Sequence, residues 1–154
     1  MNSIAPPPPD THAERRRWMA VLARASGEEI ATLLASLPPL PLHERLRAPE
    51  TGLVMVRGRA GGDGAAFNLG EMTVTRCAVR LGDRVGHAYV AGRDKRQAEL
   101  AALLDAALQD PAWRPALLAQ VIAPLAERQA EARAAEARKA AATKVEFLAM
   151  QTTR

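Results

Sequence analysis

A chain of 154 residues fits one domain, and a single cysteine, Cys77, excludes an internal disulfide and suits a reducing compartment. No run approaches the roughly 18–20 apolar residues of a membrane span, and the N-terminus lacks the apolar stretch of a signal peptide, so a cytoplasmic location is expected. The net charge of +4 is mild and spread along the chain, and aromatics make up only 3%, which argues against a dedicated nucleic-acid reader with its stacking platforms.

Residues 1–12 are proline-rich and read as a disordered tail. A helix is predicted from about Ala13, with Trp18, Val21, Leu22 and Ala25 on one face. Ser26 and Glu29 have the spacing of a capping box, which opens a second helix striped by Ile30, Leu33, Leu34 and Leu37. Pro38, Pro39 and Pro41 end it. From Arg45 the period changes from near 3.6 to 2. A strand is predicted at Leu53–Arg57, a glycine-rich hairpin turn follows, and Phe67–Leu81 reads as one long strand bent at Gly70. Beyond the bend Thr73, Thr75, Cys77, Val79 and Leu81 share one face, and Met72, Val74, Arg76, Ala78 and Arg80 the other. Gly82-Asp83 is a second turn and Val85–Ala91 a third strand; connections this short imply an antiparallel meander.

Asp94 to Gln97 repeats the capping pattern at the start of a helix with Leu100, Leu103, Leu104, Ala107 and Leu108 as its buried stripe. Leu117, Leu118, Val121, Ile122 and Leu125 mark another amphipathic helix. From Ala126 to Ala142 the sequence is helix-forming but has no large apolar residue, only the stripe Ala130, Ala134, Ala137 and Ala141. Such a helix stands in solvent or packs on another chain. Thr143–Met150 returns to alternation, either as an arm added to a partner or as a last strand of the chain's own sheet. The expected fold is α+β: an antiparallel sheet of three or four strands with helices on one face, in a domain over residues 13–125. Residues 126–154 form an extended C-terminal helix and strand-like arm.

No catalytic set is visible. His12, His43 and His87 have no metal-ligand spacing, so no metal and no cofactor are expected. Cys77 reads as a small core side chain, since Arg76 points to the opposite face of the strand. The run Gly61–Gly64 lacks the Gly-Lys-Ser/Thr ending of a phosphate loop. What remains is a basic edge. Arg76 and Arg80 share a strand face, and Arg93, Lys95 and Arg96 surround a helix start whose amides favour anions. These five are the candidate contacts for a phosphate or an acidic partner surface.

The strings A-P-E-T-G-L-V-M-V-R, G-E-M-T-V-T-R-C-A-V-R-L and V-A-G-R-D-K-R-Q-A-E-L-A-A-L-L-D-A resemble the G subunit of the bacterial carbon–phosphorus lyase system, the PhnG family. Flanking strings R-R-R-W-M-A-V-L-A, I-A-P-L and T-K-V-E-F-L-A-M extend the resemblance from about Arg15 to Met150. The proline tail and the Ala-rich helix are where the match is weakest. The resemblance implies a non-catalytic subunit of a transferase complex in phosphonate catabolism. That complex forms α-D-ribose 1-methylphosphonate 5-triphosphate from ATP and methylphosphonate with release of adenine. Implied partners are the H, I, J and L proteins, with the I subunit, which carries the base-displacing chemistry, as the direct contact. ATP and phosphonate would bind at the level of the complex, and no catalytic residue carries over to this subunit. Two other readings stand beside it: a small basic nucleic-acid or nucleotide-binding module, and an independent enzyme acting on a phosphorylated sugar, for which no acid, base or metal site is in view.

Overall fold

The computed structural model describes residues 11–61 and 64–144; most of the proline-rich tail, the middle of the first hairpin turn and the alternating segment from Val145 lie outside the described residues. Helices α1 (Thr11–Leu22) and α2 (Gly27–Leu34) precede three strands, β1 (Glu44–Gly58), β2 (Phe67–Leu81) and β3 (Arg84–Ala91). Then come α3 (Lys95–Leu108), α4 (Arg114–Leu117), a π-helical turn (Leu118–Ile122) and α5 (Ala123–Ala142). The strands form an antiparallel meander in the order β1-β2-β3. Helix α3 covers one sheet face, and α1, α2 and α4 pack on α3, so the α+β expectation holds.

Several elements run longer than their sequence patterns suggest. Helix α1 begins at Thr11, ahead of the expected start at Ala13. The expected strand Leu53–Arg57 is the far end of β1, which reaches back to Glu44 across register shifts at Arg45/Arg47 and Arg47/Glu50. Pro49 lies in the second shift. It survives there because β1 is an edge strand, where a missing amide donor leaves no ladder bond unmade. In β2 the bend falls where expected, with a register shift opposite Gly70. The α4, π-turn and α5 segments follow one another with helical backbone at every junction, so the two expected C-terminal helices form one run. Its π turn ends just before Pro124, which has no amide to give the ladder.

The alternation in β2 and β3 sorts their side chains cleanly. Cys77, Val79, Leu81, Ala88 and Val90 are buried toward α3, while Arg76, Arg80, His87 and Tyr89 stand exposed on the bare face. Helix α3 is buried almost all round, with every residue from Ala101 to Leu108 buried. The single stripe expected from its leucines is therefore a correction. Small residues let the sheet in on a second side. A Cβ on Gly86 would lie 1.9 Å from the Ala102 carbonyl oxygen and 2.5 Å from the Ala106 amide. Helix and strand backbones touch there, and only glycine fits.

A charge sits inside this apolar contact. Asp105 has no exposure, yet it lies among the buried leucines and alanines of α3. Its carboxylate accepts from Arg15 Nε at 3.0 Å and Arg15 Nη2 at 2.7 Å, from Trp18 Nε1 at 2.9 Å, and from the His87 amide at 3.0 Å. The Val85 carbonyl, on the same outer edge of β3, accepts from Arg15 Nη2 and from Gln109 Nε2. Side chains thus close the first half of a strand edge that would otherwise present open backbone groups. Arg114 completes the end of α3: Nε donates to the Leu108 carbonyl at 2.7 Å, and the guanidinium lies 5.9 Å from the Trp18 ring.

Removing one partner of a buried charged pair leaves the other desolvated. Asp105→Ala is therefore expected to lower unfolding free energy by about 3–5 kcal/mol, read by urea denaturation with Trp fluorescence. A loss below about 1 kcal/mol would mean that Arg15, Trp18 and His87 do not depend on this carboxylate.

Candidate functional site

The basic corner is built by the turn from β3 into α3. The Gly92 amide donates to the Thr73 carbonyl at 2.9 Å, which closes the sheet at that end. The buried Thr75 hydroxyl donates to the Gly92 carbonyl at 2.8 Å and lies 3.1 Å from the Thr51 hydroxyl. The donor is then Thr51, because a threonine hydroxyl has only one hydrogen to give. All three strands are fastened at the point where Arg93 enters.

Asp94 then caps α3, with Oδ1 accepting from the Gln97 amide at 2.9 Å. Only half of the expected capping box forms. The Gln97 side chain turns away, to the Leu22 and Ala23 carbonyls at 3.4 and 3.2 Å, and so caps the end of α1. The second oxygen of Asp94 accepts from the Gly27 amide, at 3.3 Å, at the start of α2. Two helix N-termini converge on one carboxylate, close enough that a Cβ on Gly27 would lie 3.0 Å from the Gln97 amide. The partial positive ends of both helices meet an internal anion there. Ser26 and Glu29 complete the start of α2 with both halves of their capping box.

The five candidate cations fall into two groups. Arg76 and Arg80 stand on the bare sheet face and each meets a carboxylate from β1: Arg76 Nε donates to Glu50 at 2.6 Å, and Arg80 Nη1 to Glu44 at 3.3 Å. Arg47 also donates to Glu50, and Arg47 and then Arg76 hold that carboxyl below the ordinary range. Lys95 and Arg96 open α3, on the covered side of the sheet, and Arg93 lies in the turn before them. All three are exposed, and no carboxylate among the described residues pairs with them. Among the described residues the corner therefore offers three cations without a paired carboxylate, while the strand pair meets Glu50 and Glu44.

A third cluster, with no signal in the sequence, ties the proline-bounded connection to α3. Arg45 Nε and Nη2 donate to the two Glu99 oxygens at 2.6 and 3.0 Å, and His43 Nε2 lies 3.3 Å from one of them. Arg45 first, and His43 with it, holds the Glu99 carboxyl below its ordinary range against the opposing effect of burial. Cys77 lies near these groups, but burial pushes its thiol up, and Sγ donates to the Arg47 carbonyl at 3.3 Å. Among the described residues no group of three His, Cys, Asp or Glu side chains could hold a metal, and no helix is long and apolar enough to cross a membrane. A hollow of about 240 Å³ between α1 and β3 is lined by Met19, Leu22, Ala88 and Val90, with His87 and Tyr89, and none of the five candidate cations reaches it.

Comparison with known proteins gives a consistent answer. The sequence model of the family described as "Phosphonate metabolism protein PhnG" matches residues 13–152. A Rhizobium meliloti (strain 1021) protein named "Alpha-D-ribose 1-methylphosphonate 5-triphosphate synthase subunit PhnG" is 45% identical over 139 residues, covering 90% of this chain and 88% of the relative.

The lowered Glu99 carboxyl predicts a pH response. A carboxylate held low in the folded chain stabilises it above the unfolded pKa of about 4.3, and that stability is lost as pH falls through the lower folded value. Glu99→Gln should shrink the difference in urea midpoint between pH 7 and pH 3 relative to the parent chain. An unchanged difference would remove Glu99 from the acid response.

Proposed function

We propose, because this chain belongs to the PhnG family of phosphonate metabolism proteins, that it is an accessory subunit of α-D-ribose 1-methylphosphonate 5-triphosphate synthase in carbon–phosphorus lyase phosphonate catabolism. The reaction it supports displaces adenine from ATP with methylphosphonate. One observation carries the accessory role: the best-placed carboxylates each have a structural task. Asp105 is enclosed in the core, Asp94 caps two helices, Glu99 holds Arg45 and His43, and Glu50 holds Arg47 and Arg76. None remains poised over a cleft as an acid or base.

The chain's contribution is then contact. Its partners are the H, I, J and L proteins, with the I subunit as the direct neighbour, and the assembly works in the cytoplasm. ATP and phosphonate bind to the complex rather than to this chain alone. Arg93, Lys95 and Arg96 face an acidic partner surface or the triphosphate, since they project uncompensated charge from a rigid corner. The long, exposed α5, with Lys139 3.9 Å from Glu136 on its surface, is a second place for subunit contact.

Co-expressed with its cognate I subunit, the chain is expected to elute with it on size exclusion; separate elution would sink the accessory-subunit reading. In the reconstituted complex, Arg93→Ala combined with Lys95→Ala should lower assembly or adenine release by about tenfold, the scale of a lost charged contact. Unchanged release and assembly would dismiss the corner as a contact.

A further inference from the structure

Strand β3 stops at Ala91, opposite Val74, whereas β1 and β2 stay paired as far as Gly58 and Phe67. The two strands therefore leave the three-stranded sheet and project as a ribbon. Alternation places Leu53 and Met55 on one face of it, and Val54 with its cross-strand partner Met72 on the other. Leu53, Met55, Phe67, Leu69 and Met72 are between 39% and 64% exposed. A two-stranded ribbon standing alone is marginal in water, and this one carries large apolar side chains on both faces. Among the described residues both of its edges are open as well: β1 is the outer strand of the sheet, and the Gly92 to Thr73 bond is the last from the β3 side.

The charges beside the ribbon are mainly positive. Arg57 and Arg59 lie toward its tip, and Arg93, Lys95 and Arg96 at its base; against them among the described residues stand Glu71 on β2 and Asp94, whose two oxygens already accept from the Gln97 and Gly27 amides. A second copy of this chain would set these cations against the same cations. A nucleic acid would satisfy the cations but leave the leucines, methionines and phenylalanine wet. We infer that the β1–β2 ribbon inserts into an apolar cleft of a different protein chain, one that closes on both ribbon faces and is rimmed by carboxylates. Building on the reading under Proposed function, that chain is another subunit of the synthase.

The test uses the full chain and its cognate I subunit. Leu53→Asp and Phe67→Asp change exposed side chains, so the free variants should melt close to the parent. Each should weaken binding to the I subunit about tenfold or more, as loss of a buried anchor does. Leu42→Asp, at a leucine 99% exposed elsewhere on the surface, should bind like the parent. If the parent binds and the ribbon variants bind equally well, or Leu42→Asp weakens binding as much, the ribbon is not the docking element and the accessory-subunit reading stands. If the parent itself does not bind the I subunit, that reading falls and this inference with it. Two results would assign another occupant and overturn the proposal. One is a dimer of the free chain, seen by sedimentation, that Leu53→Asp dissolves. The other is hydrogen-exchange protection of the ribbon in the free chain that disappears when residues 145–154 are deleted.

Discussion

The Asp105 carboxylate joins α1, β3 and α3, and the way these three pack on one another depends on it. A desolvated charge of this kind carries a penalty of several kcal/mol unless it is fully hydrogen-bonded. Here the donors are Arg15 and Trp18 from α1 and the His87 amide from β3, while the charge itself belongs to α3. The penalty is offset only when helix, helix and strand occupy their final places together. An apolar residue at position 105 would tolerate α1 at many rotations, whereas a carboxylate accepts one.

That constraint works together with the Gly86 contact. Because α3 rests directly on the β3 backbone at Ala102 and Ala106, it cannot slide along the strand without a collision. Asp105, between those two alanines, fixes the same strand from the side through His87. Close packing of small residues sets the distance, and the hydrogen bonds set the register. Arg114 and Gln97 then use the carbonyls at the ends of α3 and α1, so the helical layer is tied through its termini as well as through its leucines.

Local patterns in the sequence were legible wherever neighbouring residues settle the outcome. The Ser26–Glu29 box, the Gly82-Asp83 turn, the full extent of β2 and its bend at Gly70 all follow from spacing and turn chemistry. The strand faces of β2 follow from alternation alone. What the sequence hid is long-range. Asp105 is 90 residues from Arg15 and 18 from His87, so a lone aspartate in a leucine-rich helix gave no sign of its partners. The same holds for Asp94, whose second oxygen caps a helix start 67 residues away. Burial of α3 on all sides was hidden because alanine is neutral in an amphipathic pattern, yet here it lines a contact too tight for anything larger. The five cations were identified by type, but their division between two sides of the sheet depended on where α3 packs.

These same constraints shape what the described surface offers to a partner. Acidic groups that might have served chemistry hold the fold: Asp105 at its centre, Asp94 where two helices meet, Glu99 between the connection and α3. The described surface is left with an excess of cations and with apolar side chains on a ribbon that no other described element covers. Both features arise at Thr73. There the sheet loses its third strand, the Gly92 amide makes the final bond, and the chain turns into Arg93. Ending β3 early bares the ribbon on one side of this junction and, by starting α3, sets the basic corner on the other. The chain thus presents apolar area and charge from one rigid point, and rigidity there would let a partner bind without first having to order the surface it meets.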